Sequence, residues 1–547
     1  MKRNFIYFIV FLIPVYFIGF GIDIMDIDAS QYAEMSREMS ISNSYLQVFE
    51  IGKDYLDKPP FLFWITSISM KIFGANNFSY RLPSFLFALF ALYSTYKFAL
   101  LFYKKEIASL AALILASCQA FYLINHDVKT DTVLMGWVIF SIWQLAAWFQ
   151  NKNLKHIIFA FAAIGFGMIT KGPVAFIVPV LALGTHILLS RNFKLIFRWE
   201  YLLGLLIVAV ILLPVCYGLY TQFDLHPEKL VNNKTGVSGL RFFFWTQSFG
   251  RITGESIWNN NSNIFFLFQN LLWAFLPWII IFVIALFLEF KTIVKQKFKI
   301  EPKAEWICMG GFTFTYFALG SSKYQLPHYI FVVLPFAAII TAKLLIRLYE
   351  GENPRLLKIL EKSHFIIFSL LFLALIILMT FSFPAPIWLS IILFISIIIF
   401  YYFFTTKNIS YYLINLSVFS FLLINLFLNS WIYPSLLKYQ GGNCMGRFIR
   451  TNKIPTKNTF IYEEHVWHSL HFYSNDIIIN KYDLNTVLPG DYLIVTGEKI
   501  NDFVKAGLSY EVVYKAQTYG VSRLQLKFLN PSRRKELTEE IKLIKII

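Results

Sequence analysis

The chain has 547 residues, 57% hydrophobic and 15% charged, where an ordinary soluble domain is roughly 45–50% apolar and about 25% charged. That composition excludes disorder and a plain soluble enzyme. Lys and Arg outnumber Asp and Glu by 49 to 32, a formal charge of +17. A membrane chain collects such an excess in its cytoplasmic loops, so the charge does not call for nucleic acid as a partner.

Apolar runs near the length needed to cross a hydrocarbon core recur along most of the chain. Thirteen spans are expected, at 4–22, 81–102, 106–125, 132–150, 156–170, 173–190, 201–221, 264–288, 306–321, 328–348, 363–382, 386–405 and 411–433. Met1-Lys2-Arg3 precedes the first, and no small-residue cleavage site follows it, so it reads as an uncleaved span. With the N-terminus inside, every inner loop is short and contains Lys or Arg. The densest holds Lys291, Lys295, Lys297, Lys299 and Lys303. An odd number of spans puts the C-terminal tail outside. Cys118, Cys216 and Cys308 lie in or beside spans and Cys444 stands alone, so neither a disulfide framework nor a CxxC metal signature follows.

The expected architecture is a polytopic α-helical membrane domain over 1–435, with long outer loops 23–80 and 222–263. A small α/β domain over 436–547 follows it in the periplasm. The tail carries β-rich runs at 459–463, 476–480, 491–496, 511–516 and 523–528, and helical segments at 466–473 and 499–506. His465, His468 and His471 recur every three residues there, but no Cys or carboxylate at matching spacing completes a metal site.

The first outer loop is the most informative stretch. Tyr32, Met35 and Met39 fall at i, i+3 and i+7, the pattern of an amphipathic helix on the membrane surface. Asp28 stands just ahead of it, either as an N-cap or as a carboxylate able to accept a proton at the water–lipid boundary. Asp57-Lys58-Pro59-Pro60 then precedes the aromatic run Phe61-Leu62-Phe63-Trp64, where the prolines force a sharp helix start. Lys58 there can snorkel or bind a lipid phosphate. Phe73-Gly74-Ala75-Asn76-Asn77-Phe78 leads on to Arg81-Leu82-Pro83.

In this order, these segments resemble the lipid-linked-sugar glycosyltransferases of the GT-C fold. The bacterial aminoarabinose transferases of lipid A are the nearer members and the protein O-mannosyltransferases more distant relatives. The resemblance continues at Lys129-Thr130-Asp131-Thr132, Met168-Ile169-Thr170-Lys171-Gly172, Trp245 to Arg251, and Ser322-Lys323-Tyr324-Gln325-Leu326-Pro327-His328-Tyr329. It covers about residues 1–350.

The resemblance implies a transferase that moves a sugar from a polyprenyl phosphate to a lipid, glycan or protein. Asp28 matches the carboxylate for acceptor activation and Asp131 the second acidic position. Lys58 matches the lysine that meets the carrier's phosphate. Arg251, Lys323 and Tyr329 fall where similar enzymes place phosphate-binding or donor-site groups. One departure concerns metal. Aminoarabinose transferases have Glu at the position of Asp57 and His at the position of Ser248, a pair able to hold zinc. Here the acid is shorter and the histidine is absent; His226 and His328 lie in outer segments and could substitute, but nothing in their spacing argues for it. A divalent metal at Asp57 would therefore lack its partner, and no other cofactor is implied.

The chemistry asks for these residue types independently. The leaving phosphate develops negative charge that cations stabilise, and the acceptor hydroxyl needs a base. Attack opposite the phosphate would invert the anomeric carbon. A transporter of lipid-linked sugars is the alternative, but it would show midplane charges and repeated halves.

Overall fold

The computed structural model of the chain describes all residues except 1, 125, 257, 297, 299–304, 407–408 and 463–466. Lys297, Lys299 and Lys303 of the expected cationic loop, and His465 of the histidine repeat, lie outside the described residues.

Helix α1 is Lys2–Phe20, α2 Asp28–Ser42, α3 Phe61–Phe73, α4 Asn77–Leu100, α5 Lys105–Ala116 and α6 Gln119–Ile124. Then come α7 Thr130–Asn151, α8 Leu154–Lys171, α9 Val174–Leu189 and α10 Glu200–Leu219. Further helices run over Ile264–Ala274, Ile279–Lys295, Ile307–Gly320, Leu334–Tyr349, Pro354–Ile377, Ile387–Thr406 and Tyr412–Phe427. Among the described residues, seven helical stretches are long and apolar enough to cross a membrane: Thr130–Asn151, Leu154–Lys171, Glu200–Asp224, Pro327–Tyr349, Pro354–Ser382, Ile387–Thr406 and Tyr412–Leu437. The other expected spans fall on shorter or more polar helices, and two are broken. Span 106–125 is α5 and α6, hinged at Ser117-Cys118. Span 264–288 is two helices parted at Leu276-Pro277, where proline supplies no backbone N–H.

Burial differs sharply between spans. Only 28% of the apolar window is buried inside the protein in Glu200–Asp224, Pro354–Ser382 and Ile387–Thr406, against 94% in Pro327–Tyr349. The first three face lipid. The last is the central post of the bundle.

Helix α2 departs from the sequence reading. It does not lie open on a membrane surface: Tyr32, Met35 and Met39 are buried, and so are Glu34 and Arg37 on the polar side. Helix α3 packs on one face and the C-terminal helix His468–Ser474 on the other. Asp28 is the first helical residue rather than the cap; Ile27 holds the cap position, with no side-chain capping bond.

A two-stranded hairpin, β1 (Phe49–Glu50) and β2 (Lys53–Asp54), precedes α3, and a separate five-stranded sheet lies in the C-terminal part of the chain. That sheet has β3 (Thr459–Tyr462), β4 (Asn480–Lys481), β5 (Tyr492–Thr496), β6 (Tyr510–Thr518) and β7 (Glu539–Ile546), in the order β4-β3-β5-β7-β6. β3 runs parallel to its neighbours, whereas β7 pairs antiparallel with β5 and β6. The period of two splits the core: Ile494 and Leu543 pack with Met445, Ile449 and Leu470, while Leu493, Val495 and Ile544 pack with Phe503 on the other face.

The strand expected at 523–528 does not form. Its ends are short 3-10 turns, Val521–Arg523 and Leu526–Leu529, because Val521 and Phe528 are drawn into the core of the membrane bundle. The fifth strand is instead β7, whose alternation of Ile541 and Leu543 with Glu540 and Lys542 was present in the sequence.

The C-terminal domain braces the chain ahead of Asp28. Tyr473 Oη accepts from Ile24 N at 2.8 Å, Gln440 Nε2 donates to Ile24 O at 2.9 Å, and Ser469 Oγ donates to Asp26 at 3.0 Å. From below, the buried Arg81 guanidinium donates to the carbonyls of Phe20, Ile22, Asp23 and His126. A buried cation is costly unless its donors are satisfied. These four carbonyls satisfy them and tie the end of α1 to the segment that leads into α7.

Candidate functional site

Two charged clusters meet at one end of the bundle. The first is built on the loop entering α7. Lys129 Nζ lies 3.2 Å from Asp28 Oδ2 and 3.3 Å from Asp127 Oδ1, so one ammonium bridges two carboxylates from separate loops. Burial alone would lower the Lys129 pKa; Asp127 and Asp28 outweigh it and raise it above the usual lysine value. Asp28 keeps 36% of its side chain exposed, so its carboxylate is held and yet reachable.

The second cluster is buried. Asp131, in the first turn of α7, pairs with Lys171, the last residue of α8, and is 1% exposed. Lys171 Nζ also sits 4.0 Å above the ring of Tyr329. The hydroxyl of Tyr329 accepts from Arg251 Nη1, and Arg251 Nη2 lies 3.4 Å from Asp57 Oδ1. Lys58 Nζ is 2.6 Å from Asp57 Oδ2. Burial pushes the Asp57 carboxyl up; Lys58 and Arg251 outweigh it and hold the carboxyl below its ordinary value.

Local backbone explains the meeting. Pro59-Pro60 ends the loop and starts α3, which fixes Lys58 at the helix mouth. Gly172 turns the chain from α8 into α9 at φ +80°, and a Cβ there would stand 2.6 Å from Gln247 Nε2. The turn needs glycine for its backbone conformation, and a larger residue would also have to push the Gln247 amide aside.

Lys58, Asp131, Lys171, Arg251 and Tyr329 line one cavity of about 110 Å³. Its other wall is apolar: Val174, Ile177, Val178 and Leu181 come from one face of α9, with Ala318 and Leu319 opposite. A polar head thus stands over an apolar trough, the arrangement that suits an anionic headgroup on a hydrocarbon tail.

Of the residues singled out from sequence, Asp57, Lys58, Asp131, Arg251 and Tyr329 converge here, and Asp28 stands in the adjoining cluster. Lys323 does not join them. Its side chain is exposed, and its backbone N–H donates to Arg251 O at 2.9 Å, so it braces the arginine's loop. Asp57 does not fit a metal, since its two oxygens face Lys58 and Arg251. Among the described residues no group of three His, Cys, Asp or Glu could hold a metal ion. His226 pairs with Glu228, and His328 Nε2 lies 3.6 Å from Asp131 Oδ2. His468 pairs with Glu50 at 2.6 Å, and His471 Nδ1 accepts from Ile478 N, so both are structural.

From sequence, Lys129 and Lys171 carry no assigned role. Their signal was available, since each is a cation at the end of an apolar span, within a motif that carries the family resemblance.

Comparison with known proteins places the chain among similar sequences and folds. Residues 57–217 match the family described as dolichyl-phosphate-mannose-protein mannosyltransferase. An undecaprenyl phosphate-alpha-4-amino-4-deoxy-L-arabinose arabinosyl transferase of Wigglesworthia glossinidia brevipalpis is 28% identical over 62% of this chain and 57% of its own length. A second such transferase, from Proteus mirabilis, is 26% identical over 58% of this chain and 54% of its own. The chain thus spans a little over half the length of these curated relatives. An uncharacterized protein of Aquifex aeolicus is 25% identical over 87% of this chain and 88% of its own. The crystal structure of ArnT from Cupriavidus metallidurans bound to undecaprenyl phosphate superimposes with a TM-score of 0.73 at 17% identity, covering 98% of this chain and 97% of that one. The fold is the same: a multi-pass GT-C membrane bundle with a small C-terminal sheet domain.

Proposed function

We propose that this GT-C chain is an integral-membrane glycosyltransferase. It takes a sugar from a polyprenyl-phosphate donor and passes it to a lipid, glycan or protein acceptor at the outer face of a bacterial inner membrane. The single observation that carries the reading is the cavity that sets Lys58, Lys171, Arg251 and Tyr329 over an apolar trough. The names of the similar proteins, and the undecaprenyl phosphate bound to the ArnT structure, point the same way. No relative named above supports a transporter.

In this reading the donor's phosphate sits among Lys58, Arg251 and Tyr329, with Lys171 and Asp131 beneath it. The acceptor hydroxyl attacks the anomeric carbon from the side opposite the phosphate. The bond from that carbon to the phosphate oxygen breaks, and its electron pair leaves with the polyprenyl phosphate. The cations stabilise the charge that develops there. Asp28 takes the acceptor's proton, a role in which one positioned base contributes about 10²–10⁴-fold. The sugar is transferred with inversion. Lys323 serves the donor side by bracing the Arg251 loop.

The N-terminus is cytoplasmic and the sheet domain periplasmic, in line with the Lys- and Arg-bearing inner loops. Residues 1–435 form the catalytic membrane domain, with loops 23–80 and 222–263 over the site, and 436–547 form the domain that steadies the first loop.

The test is mass spectrometry of polyprenyl phosphates in a deletion strain, complemented with wild type or with Asp28→Asn. One polyprenyl-phosphate sugar should accumulate in the deletion and the Asp28→Asn strain and disappear with wild type. An identical pool in all three strains would rule the reading out.

A further inference from the structure

Helix α9 has a second lipid-sized surface. Its face opposite the cavity above carries Phe176, Pro179, Val180, Leu183, Gly184 and Ile187, and these wall an open cleft of about 330 Å³. Between Phe176 and Ile187 the helix climbs about 16 Å, so the cleft is long and narrow. Leu145 and Phe149 of α7, Phe161 and Ile164 of α8, and Leu205 of α10 close the sides, while Ile196 and Tyr201 form the mouth.

The mouth lies at the far end of the bundle from the charged site. Helix α7 presents Asp131 in its first turn and Phe149 in its last, about 27 Å apart along the axis. The connecting segment 191–200 marks the headgroup layer there: Phe197 is 87% and Trp199 64% exposed, interleaved with Lys194 and Arg198. Lys152 Nζ and Arg198 Cζ stack on the buried Trp148 ring, at 4.3 and 5.6 Å. Lys152 also lies 5.6 Å over Phe149, which lines the cleft. Glu200 is the carboxylate at this spot, and Arg198 binds both of its oxygens. Lys152 pairs with no carboxylate among the described residues. Two like charges thus share one aromatic ring with a single counter-charge between them. Burial and the neighbouring Arg198 both push the Lys152 ammonium pKa down, and an added anion would relieve that.

We infer that this cleft holds an acyl chain of an anionic phospholipid from the leaflet opposite the charged site, with its headgroup phosphate at Lys152. Basic residues at the end of an inter-helix groove on this side of a bundle suit such headgroups. Phosphatidylglycerol is the simplest member of the class. Because α9 walls both the cleft and the donor cavity, a lipid seated here would also stiffen the trough. The lipid site itself does not depend on the transferase reading.

The test is native mass spectrometry of the full chain released from nanodiscs of equal phosphatidylglycerol and phosphatidylethanolamine. Two variants are suited to it. A Cβ at Gly184 meets nothing within 4 Å, so the side chain of Gly184→Leu has room to start into the cleft that Gly184 lines. Lys152 sits at φ 57°, a conformation asparagine accepts, so Lys152→Asn removes the charge and keeps the turn. The wild-type chain should retain one phosphatidylglycerol in preference to phosphatidylethanolamine. Lys152→Asn should cut that preference about fivefold, the worth of one cation near a lipid surface. Gly184→Leu should lose the lipid while keeping the melting profile of wild type. The inference is overturned if wild type shows no preference, if both variants retain phosphatidylglycerol as wild type does, or if the retained molecule is a polyprenyl phosphate.

Discussion

Asp28 and Lys129 stand 101 residues apart in sequence and 3.2 Å apart in space, joining the start of the first outer loop to the entrance of α7. The ammonium fixes the carboxylate's direction while leaving it open to solvent. A base held this way is ready for an incoming hydroxyl.

Lys129→Met should therefore lower the turnover number about 10–100-fold with little change in the KM for donor, since the loss falls on the orientation of Asp28. Lys129→Arg should recover part of it. Equal losses in kcat and donor affinity would place Lys129 in the donor site instead.

The Asp131–Lys171 pair is buried on both sides, with the carboxylate 1% and the lysine 12% exposed. Removing one partner leaves an uncompensated buried charge, which costs about 3–5 kcal/mol. Asp131→Asn and Lys171→Met should each lower the melting temperature strongly. The double variant should melt above either single one. A double variant that falls by the sum of the two would show that the residues do not act as a pair.

Arg251 uses separate nitrogens for Tyr329 and Asp57, a geometry that lysine cannot copy. Arg251→Lys keeps the charge and loses the fork. Affinity for polyprenyl phosphate should fall about tenfold, roughly 1.4 kcal/mol, as read by titration calorimetry. Unchanged affinity would remove Arg251 from the phosphate site.

Glu34 gives a pH signature. Burial raises its carboxyl to about 7, even with Arg37 donating to it. The unfolded chain's carboxyl titrates near 4.5, so the folded state binds more protons between those values. The stability it supplies is present below about 4.5 and is lost as pH rises through 7, by at most about 3 kcal/mol. Glu34→Gln should flatten that limb of a melting-temperature profile. Parallel profiles for wild type and variant would contradict the assignment.

Much of this was legible in the sequence, and the unevenness has physical causes. Span positions follow from hydropathy, which lipid enforces, so the described residues of the expected spans are mostly helical. The breaks at Ser117 and Pro277 are tertiary choices that hydropathy does not register. Helix α2 was recognised as amphipathic, but not that both its faces are covered: its second cover, His468–Ser474, lies more than 400 residues away. Lys58, Arg251 and Tyr329 could be named from ordered motifs. That Lys171 and Asp131 would meet depends on the turn at Lys152-Asn153, which folds α8 back along α7 and so brings the end of α8 beside the start of α7. The strand misplaced at 523–528 shows the same limit, since Phe528 is claimed by the membrane bundle rather than by the sheet.

The most direct test of the account is single-turnover sugar transfer by purified wild type and Asp28→Asn at saturating donor, alongside the Kd of each for polyprenyl phosphate. The account predicts a rate about 10²–10⁴-fold lower for Asp28→Asn with an unchanged Kd. A variant that transfers at the wild-type rate, or one whose only defect is weaker phosphate binding, would contradict it.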